Sequence, residues 1–93
     1  MFIIKITPIA YEDIQIGIDY YQEQQRGLGY TFADVIQLSL DRLANMPYSG
    51  SFAYNDVRYK VVDRFPYIIL YKTEDSIITV LRIFNTHQKP LFN

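Results

Sequence analysis

Hydrophobic positions along the chain fall into two regimes. From residue 57 onward they alternate or run in short blocks rich in β-branched and aromatic side chains: Val57–Arg64, Ile68–Thr73 and Ser76–Phe84. Such side chains suit a pleated, half-buried surface. Phe65-Pro66-Tyr67 and Glu74-Asp75 punctuate the blocks at hairpin spacing, and Pro66, which cannot donate to a ladder, belongs at a turn or strand start. These runs predict a three-stranded antiparallel meander. Before residue 50 the period changes. Ala10, Ile14, Gly17, Ile18 and Tyr21 form one stripe at three- and four-residue spacing, and Phe32, Val35, Ile36, Ser39, Leu40, Leu43 and Met46 form a second. Thr7-Pro8 supplies a cap and a first helical residue, Gly27-Leu28-Gly29 a stop, and Pro47 a second stop. Pro47–Ser51 reads as a loop.

Phe2–Ile6 adds a short apolar strand ahead of the helices, so the order is β-α-α-β-β-β. The fold class is α+β: an antiparallel sheet with an N-terminal helical hairpin packed on one face and the other face partly open. Alternation sends Arg58, Lys60 and Val62 one way and Val57, Tyr59 and Val61 the other, and groups Arg82 with Ile78, Val80 and Phe84. The open face is therefore expected to combine positive charge with apolar surface. Ile9, Ile16, Tyr20 and Leu38 exceed what one core face needs and suggest a groove for a partner's amphipathic helix or added strand.

Charge sharpens this picture. Residues 1–56 carry three cations against seven acids, a balance of −4, and residues 57–93 carry six cations against three acids, a balance of +3. A basic sheet half suggests an anionic partner, nucleic acid or an acidic protein segment. The 93 residues make one domain spanning 1–93, with 49% hydrophobic and 20% charged residues, a globular composition. Nine tyrosines and no tryptophan fit a core edge with wet rims. Absent cysteines remove disulfides and thiolate metal sites, and the lone His87 removes a multi-histidine metal centre, so no metal or cofactor is expected. The N-terminal apolar run is too short for a signal peptide or membrane span, giving a cytoplasmic expectation with no membrane partner. No glycine-rich phosphate loop or nucleophile elbow occurs.

The element order, Leu43-Ala44-Asn45-Met46-Pro47-Tyr48-Ser49-Gly50, the strand opening at Arg58, and Arg64-Phe65-Pro66-Tyr67-Ile68-Ile69-Leu70-Tyr71 resemble the RelE/ParE toxin superfamily. The Phe-Pro-Tyr segment and its alternating strand are similar to the ParE-like branch. The resemblance implies the toxin of a type II toxin–antitoxin pair, of the plasmid-stabilisation and stress-response kind, neutralised by a small antitoxin that wraps it. RelE-like members cleave messenger RNA on the ribosome with basic residues of the sheet and C-terminus, whereas ParE-like members poison DNA gyrase. For a ribonuclease the candidates are Arg58, Lys60, Arg64, Arg82 and His87, which would supply phosphate-stabilising cations and a proton carrier. For binding they are Arg58, Lys60, Arg64, Arg82, Tyr67 and Tyr71. Ile68 stands where the superfamily commonly has arginine, and Asn85, His87 and Gln88 where it has histidine and arginine. These departures favour the gyrase-directed reading over the ribonuclease and over an inactive, binding-only member; the free toxin is expected as a monomer or a homodimer.

Overall fold

The computed structural model of the chain describes residues 2–87. Strand β1 (Ile3–Ile6) leads into helix α1 (Pro8–Gln24), helix α2 (Leu28–Asn45) and four further strands, β2 (Ser51–Tyr54), β3 (Val57–Val61), β4 (Tyr67–Glu74) and β5 (Ile77–Asn85). The α+β class and the helical hairpin agree with the sequence pattern. The sheet is larger than the pattern indicates and mixed rather than wholly antiparallel. Its order is β1-β5-β4-β3-β2, with β1 parallel to β5 and all other pairs antiparallel.

Strand β2 starts at the end of the Pro47–Ser51 loop and fills a stretch before Val57 to which the sequence pattern assigns no element. It is four residues long and largely exposed, so it lacks the apolar alternation that marks a strand in sequence. It is held by pairing with β3 through the Asn55-Asp56 turn, where Asn55 takes the left-handed conformation (φ 45°) that asparagine tolerates. β3 in turn stops at Val61 rather than running to Arg64, because Arg64 itself is left-handed (φ 71°) and leaves the strand path.

Thr7 caps α1 as its type suggests: its Oγ1 accepts from Ala10 N–H at 3.1 Å, and Pro8 opens the helix. Gly27 (φ 89°) makes the turn between the helices, and the Gln22 side-chain oxygen accepts from the N–H of both Gly27 and Gly29 at 3.1 Å, supplying the cap α2 lacks. Gly29 sits where a Cβ would come within 2.5 Å of the Ile18 carbonyl, so the hairpin closes backbone against backbone there.

The helices pack Ala10, Phe32, Ile36, Leu40 and Leu43 onto Ile69, Tyr71, Ile78, Val80 and Ile83 of the sheet. Phe65-Pro66-Tyr67 joins this core: Phe32 meets Phe65 edge-on at 5.1 Å and Tyr67 at 4.9 Å between ring centroids, and Tyr21 meets Phe65 at 4.8 Å. On the opposite face Val57, Leu70 and Phe84 form a smaller cluster with Ala53, Tyr59, Ile68 and Leu81.

That second cluster corrects the expected distribution of charge. Arg58 pairs across the ladder with Tyr71, and Lys60 with Ile69, both residues of the helix-side core, so the two cations project to the helix side. Phe84 lies on the face opposite Ile78 and Val80. The alternation breaks at a bulge in β5: Leu70 opposes Arg82 and Tyr71 opposes Val80, which leaves Leu81 as an extra residue and turns Ile83 to the helix side and Phe84 away from it. The open face is apolar around Val57, Leu70 and Phe84 and carries Lys5 and Lys72, both paired with Thr79, while Arg58 and Lys60 stand on the helix side.

Candidate functional site

The sequence candidates are held at separate stations. The first is the loop between α2 and β2. Tyr71, fully buried, donates its hydroxyl proton to the Pro47 carbonyl at 3.0 Å and accepts from the Gly50 N–H at 3.0 Å. Burial raises its hydroxyl pKa, against the pull of the Gly50 hydrogen bond and of Arg58. Gly50 is required here, since a Cβ would stand 2.5 Å from the Tyr71 hydroxyl and 2.7 Å from the Tyr59 carbonyl. The loop so fixed presents the Gly50 and Tyr48 carbonyls to Arg58, whose Nη1 donates to them at 2.7 and 3.3 Å. The guanidinium lies 4.0 Å from the Phe52 ring centre and 5.6 Å from that of Tyr48. Tyr71 is thus a structural post, and Arg58 a clamp of the β2–β3 edge through its Nη1 group.

Lys60 belongs to a second station, a groove of about 200 Å³ between the end of α2 and β3, lined by Ser39, Leu43, Met46, Ser49 and Val61. Beside it Arg42 and Asp63 pair at 3.2 Å, both largely exposed, a contact worth little. Among the described residues Lys60 has no ion-pair partner. Arg64 stands exposed on the β3–β4 turn.

The third station is a cleft of about 660 Å³ between α1 and the adjoining ends of β4 and β5, lined by Ile16, Tyr20, Tyr21, Tyr67, Arg82 and His87 among others. Arg82 is not free in it. Its Nε and Nη2 donate to the two Asp13 carboxylate oxygens at 2.7 and 3.0 Å, and the Ile83 N–H donates to the same carboxylate at 3.0 Å. The Asp13 hydrogen bonds raise the Arg82 pKa further, so the guanidinium keeps its charge. Tyr67 is buried at the cleft floor; desolvation pushes its hydroxyl up to about 12, with Tyr21 alongside adding to the rise. The Asn85 amide reaches the Tyr67 hydroxyl at 3.5 Å, while its oxygen accepts the His87 N–H at 2.8 Å. The His87 ring is exposed at the rim.

The structure therefore brings Arg82, Tyr67 and His87 around one cleft and leaves Arg58, Lys60, Arg64 and Tyr71 out of it. Arg58 and Arg82 lie on strands separated by β4, roughly 10 Å apart across the ladder. Ile68 faces the apolar cluster on the far side of the sheet. Gln88, with Lys89 and Pro90 of the tail, lies outside the described residues. Sequence reasoning missed Asp13, whose carboxylate looks no different along the chain from Glu12, Asp19 or Glu23; only its step toward the buried stripe could have marked it. Among the described residues no helix is long and apolar enough to cross a membrane, and no group of three or more His, Cys, Asp and Glu is placed to hold a metal ion.

The architecture is similar to a solved structure titled "Chromosomal ParDE TA system from P. aeruginosa", with TM-score 0.80 and 21% identity, covering 91% of this chain and 96% of that one. At that identity the likeness speaks for the fold. No curated protein matches the chain in sequence. The family described as "ParE toxin of type II toxin-antitoxin system, parDE" matches it over residues 4–90, nearly end to end. The chain belongs to the ParE toxin family of type II toxin–antitoxin systems.

Proposed function

We propose that this toxin arrests growth in the cytoplasm by acting on DNA gyrase, that it is held inactive by a small cognate antitoxin, and that it does not cleave messenger RNA. The dispersal of the cations supports this reading more than any other single observation. Cleavage without a metal needs positive charge gathered on one phosphate, together with a base for the 2′-hydroxyl and a donor for the leaving 5′-oxygen. Here Arg58 is engaged by two carbonyls and two rings, Arg82 is neutralised by Asp13, and Lys60 sits in a different groove. His87, the one imidazole, shares a cleft with Arg82 but not with Arg58 or Lys60.

One preparation of the protein is added in parallel to translating ribosomes and to purified gyrase. Inhibited supercoiling or trapped double-strand breaks are expected, with no codon-linked cleavage of messenger RNA. Ribosome-dependent cleavage abolished by Arg58→Ala, with gyrase unaffected, would make the chain a ribonuclease instead. In cells, induction of the chain alone stops growth and the adjacent small reading frame restores it; normal growth with folded protein present would leave the inactive, binding-only reading.

A further inference from the structure

Arg58 is oriented by its own loop and still has donors to give. Its Nη1 is spent on the Gly50 and Tyr48 carbonyls, and its guanidinium lies 4.0 Å from the Phe52 ring centre. Among the described residues its Nε and Nη2 have no hydrogen-bond partner, and neither nitrogen is buried. These two N–H groups form a planar fork suited to two oxygens of one anion, the same fork by which Arg82 holds Asp13. Two rings stand open beside it, Tyr48 at 62% and Phe52 at 60% exposure. Lys60, two residues along β3, projects to the same side about 6.6 Å away and has no ion pair among the described residues. It borders a depression of about 380 Å³ together with Ser49, Gly50 and Ser51. The acid that lines this depression, Asp63, already lies 3.2 Å from Arg42.

We propose that this station binds single-stranded DNA without cutting it, with one phosphate on the Nε/Nη2 fork of Arg58, a neighbouring phosphate on Lys60 and a base stacked against Phe52. Charge sets the sign of the ligand, and the rings set its class. An acidic peptide would fill the fork and leave both rings in water. A nucleotide carries an anion and a flat π-face in one unit, and a strand repeats both along its length. Binding stops short of cleavage. DNA lacks the 2′-hydroxyl that metal-free cleavage uses, and the nearby Tyr71 hydroxyl is committed to Pro47 and Gly50. The chain's one imidazole, His87, lines the other cleft. That the strand is DNA rests on the gyrase reading, since a trapped double-strand break exposes ends whose bases are unstacked.

The test is fluorescence anisotropy of a labelled oligothymidine about 12 nucleotides long, titrated with the full chain over a range of salt. The affinity should fall with salt at a logarithmic slope of about −1.4, two phosphates at about 0.7 each. Lys60→Gln should reduce that slope by about 0.7. Phe52→Ala should weaken binding at least about fivefold, and an abasic strand of equal charge should lose as much on the wild-type chain and no more on the variant. Arg58→Lys keeps the charge but not the fork, so it should weaken binding about tenfold with the slope unchanged. Lys72→Gln, on the opposite face of the sheet, should change neither. Unchanged thermal melting verifies that each variant is folded. Lys60→Gln and Phe52→Ala leave the carbonyl bonds of Arg58 in place, so they decide the matter even if Arg58→Lys unfolds. Absence of binding at low salt, equal affinity for the abasic strand, or an equal loss of slope from Lys72→Gln would overturn the proposal. So would tighter binding of the matching oligouridine or of an oligoglutamate. Gyrase supercoiling is assayed separately: inhibition without strand binding sinks this inference alone, and strand binding without inhibition sinks the gyrase reading alone.

Discussion

Replacing Tyr71 by phenylalanine removes one oxygen from the middle of the molecule and nothing from its packing. That oxygen accepts from the Gly50 N–H and donates to the Pro47 carbonyl, each at 3.0 Å and each buried. A buried backbone N–H left without an acceptor costs about 1–3 kcal/mol, and the lost donor adds to it, although Thr73 Oγ1 stands 3.5 Å from Pro47 O as a weak substitute. Taking about 2 kcal/mol, and 4–8 °C per kcal/mol for a domain of this size, Tm should fall by roughly 8–16 °C. Gly50→Ala attacks the same contact from the other side, pressing a methyl to 2.5 Å from the Tyr71 hydroxyl and 2.7 Å from the Tyr59 carbonyl. Backbone cannot yield as a side-chain tip can, so this variant should be the more damaging single change. Combined with Tyr71→Phe it should be less damaging than the sum of the two, because the first clash is then gone. Thermal and urea unfolding of the four proteins closes the cycle. A Tm loss below about 2 °C for Tyr71→Phe, a fraction of 1 kcal/mol, would mean that Tyr71 does not fix the loop. Arg58 would then be released from its assigned role as a clamp.

Two further outcomes check other parts of the structure. Asp13→Ala should lower stability by about 2–3 kcal/mol in denaturant unfolding, since it strands the Ile83 N–H and removes the partner of a half-buried guanidinium; an effect within 0.5 kcal/mol, ordinary for a surface site, would refute the assignment. Alkaline pH should destabilise the fold: Tyr67 keeps its proton to about 12 when folded but releases it near 10 when unfolded, so its stabilisation is complete below about 10 and is lost as pH rises toward 12. In a pH series of unfolding free energies Tyr67→Phe should flatten that decline by up to about 1.4 kcal/mol per pH unit, and an unchanged slope would rule the assignment out.

Much of the fold was legible because local signals agreed with it. Thr7-Pro8, the two apolar stripes, Gly27 and Pro47 mark the hairpin, and each does locally what its residue type favours. Ile9, Ile16, Tyr20 and Leu38, in excess of one core face, are exposed as their surplus implied. Two things were not legible. β2 owes its existence to its neighbour, and a four-residue edge strand with one half-buried side chain leaves no periodic trace. The grouping of Phe84 with Ile78 and Val80 was misread for a related reason: period-two alternation assumes an unbroken ladder, and nothing in Ser76–Phe84 announces that Leu81 is an extra residue.

That extra residue governs what the cleft can do. The bulge frees the Leu81 carbonyl and the Ile83 N–H from regular pairing, and both are taken up by α1: Thr7 Oγ1 donates to Leu81 O at 3.1 Å, and Asp13 accepts from Ile83 N–H. Thr7 N–H also donates to Val80 O at 3.1 Å, so α1 and its cap are bonded to the strand at Val80, Leu81 and Ile83. Once Asp13 is committed to the bulge, its second oxygen lies within reach of the Arg82 guanidinium, and the two form a bidentate pair. An arginine meant to meet a scissile phosphate would need that pair broken, exchanging a preorganised carboxylate for a substrate charge of the same sign. Such an exchange gains nothing electrostatically and leaves a partly buried aspartate beside the phosphate. The sequence motif that places a cation on β5 is thus compatible with opposite chemistries. The acid one helix away, Asp13, makes Arg82 part of the scaffold that shapes the cleft.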